Sequence, residues 1–172
     1  MSLRRIGLGG VLAATTVATI VAVTVPSAGA DGTTTIGEGP DRVYGTNALS
    51  GASAKVSAAD LGSDTTRLVL EVEGVDAPAG TEFGAHVHVN PCGPSPADAG
   101  GHYGDGDAGG TLRHREVWLD FSVDAHGRGR AVATRDWAVA DRVDRSIVLH
   151  VLGTDHATGA AGARLACIDL DA

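Results

Sequence analysis

From residue 67 onward the chain alternates between apolar and polar positions. In 67–73, Leu68, Leu70 and Val72 share one face, and in 117–123 Val117, Leu119, Phe121 and Val123 do the same. A period of two is the pattern of a half-buried strand, because successive side chains point to opposite faces of a sheet. Asp124-Ala125-His126-Gly127 is a turn signal followed by a return strand over 130–135, which predicts a hairpin. Two further strands are expected over 146–152 and 164–170. Short strands separated by Gly, Pro and Asp, with no internal repeat and no segment of helical period, predict an all-β protein. The expected architecture is an antiparallel sandwich or flattened Greek-key barrel.

The amino-terminal segment follows different rules. Arg4 and Arg5 precede an apolar run over 11–25 that closes with Ser27-Ala28-Gly29-Ala30. A short apolar run ending in an A-x-A-like site reads as a cleavable secretory signal over 1–30, leaving no stable membrane span. Residues 31–53, rich in Gly, Thr and Ser, are expected as a flexible leader, and 54–172 as one β-barrel domain. An exported chain is expected to be secreted or to remain in the cell envelope.

Composition narrows the partners. Of 172 residues, 43% are hydrophobic and 20% charged, which suits one globular domain. Thirteen basic residues face 21 acidic ones for a net charge of −8, and loss of 1–30 would leave 11 basic residues and a charge of −10. Such a balance excludes nucleic acid as a partner, since phosphate contacts need a concentrated cationic surface. Export also bears on the two cysteines. Outside the cytoplasm a pair with no other thiol to choose from oxidises, so Cys92 and Cys167 are expected to form a disulfide. In the chain-entropy picture a loop of this length contributes about 4 kcal/mol.

Candidate chemistry concentrates in 83–89. There the period of two sends Phe83, Ala85, Val87 and Val89 to the core and both His86 and His88 to the opposite face. Neutral imidazole is a preferred ligand for copper and zinc, and two at i and i+2 on a strand form half a metal site. A third histidine, His102, sits in the glycine-rich Ala99-Gly100-Gly101-His102-Tyr103. A fourth, His150, ends Ser146-Ile147-Val148-Leu149-His150, and Ala161-Gly162-Ala163-Arg164-Leu165-Ala166-Cys167 joins an arginine to a cysteine. His126, in a turn, and His156, in a short loop, read as solvated residues.

In this order and spacing the motifs resemble the copper,zinc superoxide dismutase family, in its secreted bacterial form, over about 55–169. The resemblance implies an eight-stranded Greek-key barrel with copper at one side, superoxide as substrate, and O2 and H2O2 as products. It matches His86, His88, His102 and His150 to the four copper ligands, with His102 at the position that bridges copper and zinc. Arg164 matches the arginine that guides superoxide, and Cys92 with Cys167 match the intrasubunit disulfide. His102 is also the ligand expected to detach and carry a proton, so Arg164 and His102 are the catalytic candidates.

Two departures point to the copper-only branch of that family. A zinc-containing member has two more histidines and an aspartate after the bridging histidine, whereas here 103–113 offers Asp105 and Asp107, with His114 and Glu116 near the expected end. A structural zinc site wants four firm ligands, and His102, His114 and Glu116 give at most three, with Asp105 or Asp107 as a fourth; the expectation is therefore no zinc, or a weak site at Glu116 and His114, with Glu116 otherwise the hydrogen-bond partner expected for the far nitrogen of His102. The connection from His150 to Arg164 is also shorter than the charged loop of typical members. The rival function is a non-catalytic copper-binding or copper-storage module on the same barrel. Arg164 favours the enzyme, because a storage site needs no cation beside its metal whereas turnover of a small anion does.

Overall fold

The computed structural model describes residues 33–107, 109–139 and 144–171, so the signal expected over 1–30 lies outside the described residues. The fold is all-β and antiparallel. One sheet runs β1 (Thr34–Gly39), β3 (Ser53–Gly62), β4 (Thr65–Glu73) and β8 (Gly129–Arg135) in the order β1-β3-β4-β8. The second contains β2 (Arg42–Val43), β6 (Ala85–His88), β9 (Arg145–His150) and β10 (Arg164–Leu170) in the order β2-β10-β9-β6. A short pair, β5 (Glu82–Phe83) with β7 (Phe121–Ser122), extends the β6 side. Among the described residues there is one helical turn, α1 (Leu112–Arg115), and no helix long and apolar enough to cross a membrane.

The core lies between the sheets, where Val56, Leu68, Leu70 and Val72 face Ala85, Val87, Ile147, Leu149 and Ile168, all essentially removed from water. Each such Val, Leu or Ile side chain contributes roughly 1.5–3 kcal/mol by leaving water. β4 and β8 alternate as the sequence predicts, because their outer faces meet solvent. β9 does not: Ser146, Ile147, Val148, Leu149 and His150 are all buried. Its outer face is covered by the segment that the disulfide ties down, with Val148 packed against Ala99 and Cys167 and partly against Tyr44 and Cys92.

Two expectations change. The leader expected over 31–53 is built into the fold across its described part. β1 pairs with β3 from Thr34↔Ala58 to Gly39↔Ala54, and after the chain crosses between sheets β2 pairs with β10. Its Gly- and Thr-rich composition conceals strands held by backbone pairing, with only Ile36 and Leu49 as deep apolar anchors. The hairpin expected between 117–123 and 130–135 keeps its turn, in which Asp124 Oδ1 accepts the His126 and Arg128 amides at 2.7 and 2.9 Å. The two arms then part: β7 pairs with β5, and β8 pairs with β4. Backbone bonds from Val87 to the Val117 carbonyl, from Leu119 to Ala85 and from Val123 to Thr81 lay 117–123 along the strand that carries His86 and His88.

Candidate metal centre

The face of β6 opposite the core holds His86 and His88, and it is not solvent: both side chains are fully buried. Residues 99–103 cover them. His102 forms an antiparallel bridge with His88, and Tyr103 donates its amide to the Val87 carbonyl at 2.8 Å. Gly100 makes that return possible. Its φ is +74°, and a Cβ there would lie 2.7 Å from Val89 Cγ2 and 2.8 Å from Asn90 Nδ2. His150 arrives from the end of β9, its amide bonded to the Gly84 carbonyl at 2.7 Å.

One ligand-capable nitrogen from each of His86, His88, His102 and His150 lies within 4.8 Å of the others. The ring centroids are 4.1 Å apart for His86–His102, 4.9 Å for both His102–His88 and His86–His150, and 5.8 Å for His88–His150. The remaining separations, 6.4 Å for His86–His88 and 6.3 Å for His102–His150, are the diagonals of a four-sided arrangement. Four imidazoles brought this close can offer nitrogen ligands to a single metal ion.

The second nitrogen of each ring is engaged. His88 Nδ1 donates to the Gly100 carbonyl at 3.0 Å, His150 Nδ1 to the Gly162 carbonyl at 3.1 Å, and His102 Nδ1 to Glu116 Oε2 at 2.8 Å. His86 Nε2 meets Thr154 Oγ1 at 2.6 Å. Left over are His86 Nδ1, His88 Nε2 and His150 Nε2, all buried without a hydrogen-bond partner. A buried polar atom without a partner costs about 1–3 kcal/mol, so three such lone pairs on one point fit a bound cation. Electrostatics agree. Burial, then the neighbouring imidazoles, pushes His86 down to about 2; burial, with Arg164 and the other histidines behind it, pushes His88 down to about 3; burial lowers His150. These rings are therefore neutral, the form that binds metal.

Arg164 opens β10 opposite His150 and donates from Nη1 to the Pro96 carbonyl and from Nη2 to the Gly100 carbonyl, both at 2.6 Å. Gly100 O also receives His88 Nδ1, so one carbonyl joins the cation to a histidine of the cluster. The segment carrying Pro96 and Gly100 begins at Cys92, which is disulfide-bonded to Cys167.

The residues considered for zinc do not converge. Glu116 occupies His102 Nδ1, while His114 Nε2 turns to Asp136 Oδ1 at 3.4 Å, with 43% of its side chain exposed. Asp105 Oδ1 accepts the Asp107 amide in a local turn. A cavity of about 200 Å³ beside His102 is lined by Gly104, Asp105, Leu112, Arg115 and Glu116. The donor set there does not fit zinc, because only His102 and Glu116 meet and they satisfy each other. His126 lies exposed in its turn, and His156, also exposed, has its ring 5.7 Å from Trp118.

Three contributors escape the sequence reading. Trp118 Nε1 donates to Glu116 Oε2 at 2.7 Å, and its ring centroid is 5.7 Å from that of His86. Asp120 Oδ1 accepts from Thr154 Oγ1 at 2.8 Å. Trp118 and Asp120 sit at the polar positions of the alternating segment 117–123, which would place them beside the histidines once that segment is paired with β6. Thr154 stands in a loop and carries no signal of its own.

No family model matches the chain, and no curated protein matches it. Among solved structures it is similar to the clock protein EA4, at 18% identity and a TM-score of 0.61, covering 89% of this chain and 99% of the other. It is also similar to an SOD-like protein from Bacillus subtilis, solved as a point mutant, at 16% identity and a TM-score of 0.55 over 69% of this chain and 90% of that one. A double mutant of the same protein gives 16% identity and a TM-score of 0.54. At these identities the likeness establishes the architecture: the chain has the SOD-like β fold, with a four-histidine cluster able to hold a metal.

Proposed function

We propose that this protein is an exported, copper-dependent superoxide dismutase of the copper-only kind. The observation that carries this reading is the convergence of three buried, unpartnered imidazole nitrogens and the free nitrogen of His102 beside an anchored arginine. His86 Nδ1 and the Nε2 atoms of His88, His102 and His150 would hold copper, which when bound supplies a one-electron couple that takes an electron from one superoxide and returns it to a second. Overall, two superoxide anions and two protons would become one O2 and one H2O2.

The chain's own residues do the rest. Arg164 presents a permanent cation at the rim, tied to the loop by two carbonyls, and draws a small anion against an unfavourable overall charge. Only charges within about 8 Å act strongly at physiological salt, so its closeness to the cluster matters more than the net charge. His102 holds a proton at Nδ1 against Glu116, and Trp118 fixes that carboxylate from its other side. The disulfide supports an extracytoplasmic location, as does the signal-like sequence over 1–30.

Arg164→Ala separates enzyme from copper store. The variant is expected to keep its copper and lose about tenfold or more of the superoxide rate constant. A wild-type protein that binds copper with no turnover would instead support the storage module.

A further inference from the structure

Three of the four imidazoles hydrogen-bond through Nδ1 and offer Nε2 to the centre, whereas His86 is reversed and offers Nδ1. The reversal has a local cause. Asp120 Oδ1 is 3.7 Å from His86 Nε2, too far for a hydrogen bond, and it already accepts the Ala85 amide at 2.9 Å. Thr154 Oγ1 fills the gap at 2.6 Å from His86 Nε2 and 2.8 Å from Asp120 Oδ1. A carboxylate only accepts, so the single hydroxyl hydrogen of Thr154 is committed to Asp120, and its lone pair is left for a hydrogen on His86 Nε2.

The surrounding backbone is shaped for this contact. Thr154 lies in the connection between β9 and β10, which Asp155 tightens by accepting the Ala157 and Thr158 amides at 2.9 and 2.8 Å. That connection passes against Gly84, the residue just before β6, where a Cβ would lie 2.6 Å from Ala161 Cβ, 2.8 Å from the Leu152 carbonyl and 3.0 Å from Thr154 Oγ1. A side chain at 84 would therefore crowd the loop that carries the Thr154 hydroxyl.

We propose that Thr154, oriented by Asp120, is a positioning residue that fixes His86 in the tautomer carrying its hydrogen on Nε2 and so presents Nδ1 to the metal. The tautomer is a property of the metal-free fold; its use rests on the reading of the cluster as a copper site.

The test begins with the metal-free protein, labelled with 15N at histidine and followed by long-range 1H–15N correlation at neutral pH. His86 is expected with its hydrogen on Nε2 in the wild type and in Thr154→Ser, and with this preference lost in Thr154→Val, which keeps the volume and removes the acceptor. Competition titration with Cu(II) is then expected to show affinity about tenfold weaker for Thr154→Val and near wild type for Thr154→Ser, in line with the 10–100-fold effects of groups that orient metal-bound histidines. Should the valine variant fail to fold, Thr154→Ala serves in its place. A wild-type His86 with its hydrogen on Nδ1 overturns the proposal, as does a folded variant lacking the hydroxyl with unchanged tautomer and copper affinity. Failure of the wild type to bind copper would defeat the functional reading, while the tautomer spectra would still decide the role of Thr154.

Discussion

In the metal-free protein, lowering the pH below about 6 should cost much of the stability of the fold, because the buried imidazoles of the four-histidine cluster resist protonation. His86 and His88 are neutral in the fold, pushed down to about 2 and about 3 from the usual 6.5 chiefly by burial. Both groups have folded values below their unfolded ones, so between those values the unfolded chain binds more protons and stability must fall as pH falls. Above about pH 6.5 both states are neutral and nothing is lost. At about pH 4.5 each imidazole favours the unfolded state by about 2.7 kcal/mol, together about 5 kcal/mol, with His150 shifted in the same direction. That compares with a total stability of about 5–15 kcal/mol for a typical domain. Urea unfolding of the chelator-treated protein between about pH 8 and pH 4.5 is the assay. Below pH 6 the free energy should drop by at least about 2.7 kcal/mol per pH unit from His86 and His88, and in His86→Gln the slope should be smaller by about 1.4 kcal/mol per pH unit, the share of one proton site. A midpoint flat from pH 8 to pH 5, or an unchanged slope in His86→Gln, would mean that these imidazoles are not held neutral by the fold.

Two further outcomes follow from contacts at the rim. Glu116→Gln keeps the size of the acceptor but removes its charge beside His102 Nδ1 and Trp118 Nε1; copper content should stay constant while turnover falls about tenfold, as measured by superoxide decay per bound copper. Reduction of Cys92–Cys167 should cost about 4 kcal/mol in urea unfolding. It should also lower turnover in the protein that remains folded, because the segment whose carbonyls hold Arg164 loses its tether.

The sequence exposes those features that one face of one strand decides. Leu68, Leu70 and Val72 announce β4 because the opposite face is wet, and His86 with His88 share a face for the same reason of period. What covers a face is not written in the strand itself. The burial of the His86–His88 face comes from residues 99–103 folding back over it, and β9 loses its alternation because the disulfide segment buries its second side. β1 and β2 are hidden because backbone pairing, supported by few apolar side chains, holds a Gly- and Thr-rich stretch. Nearness along the chain misleads at His114: two residues from Glu116, it points to Asp136. Trp118, Asp120 and Thr154 belong to the site through the pairing of 117–123 with β6 and the close approach at Gly84, both long-range facts that no local pattern carries.

On the proposed function, four imidazoles hold a single copper that turns over superoxide without zinc. Its most direct test is to reconstitute the wild-type protein with copper and zinc together, remove loosely held ions, and measure both metals and the decay of superoxide on the same sample. The expected result is about one copper per chain, no stoichiometric zinc and rapid decay that scales with copper. Equimolar zinc retained beside copper, or a fully copper-loaded protein with no effect on superoxide, would contradict it.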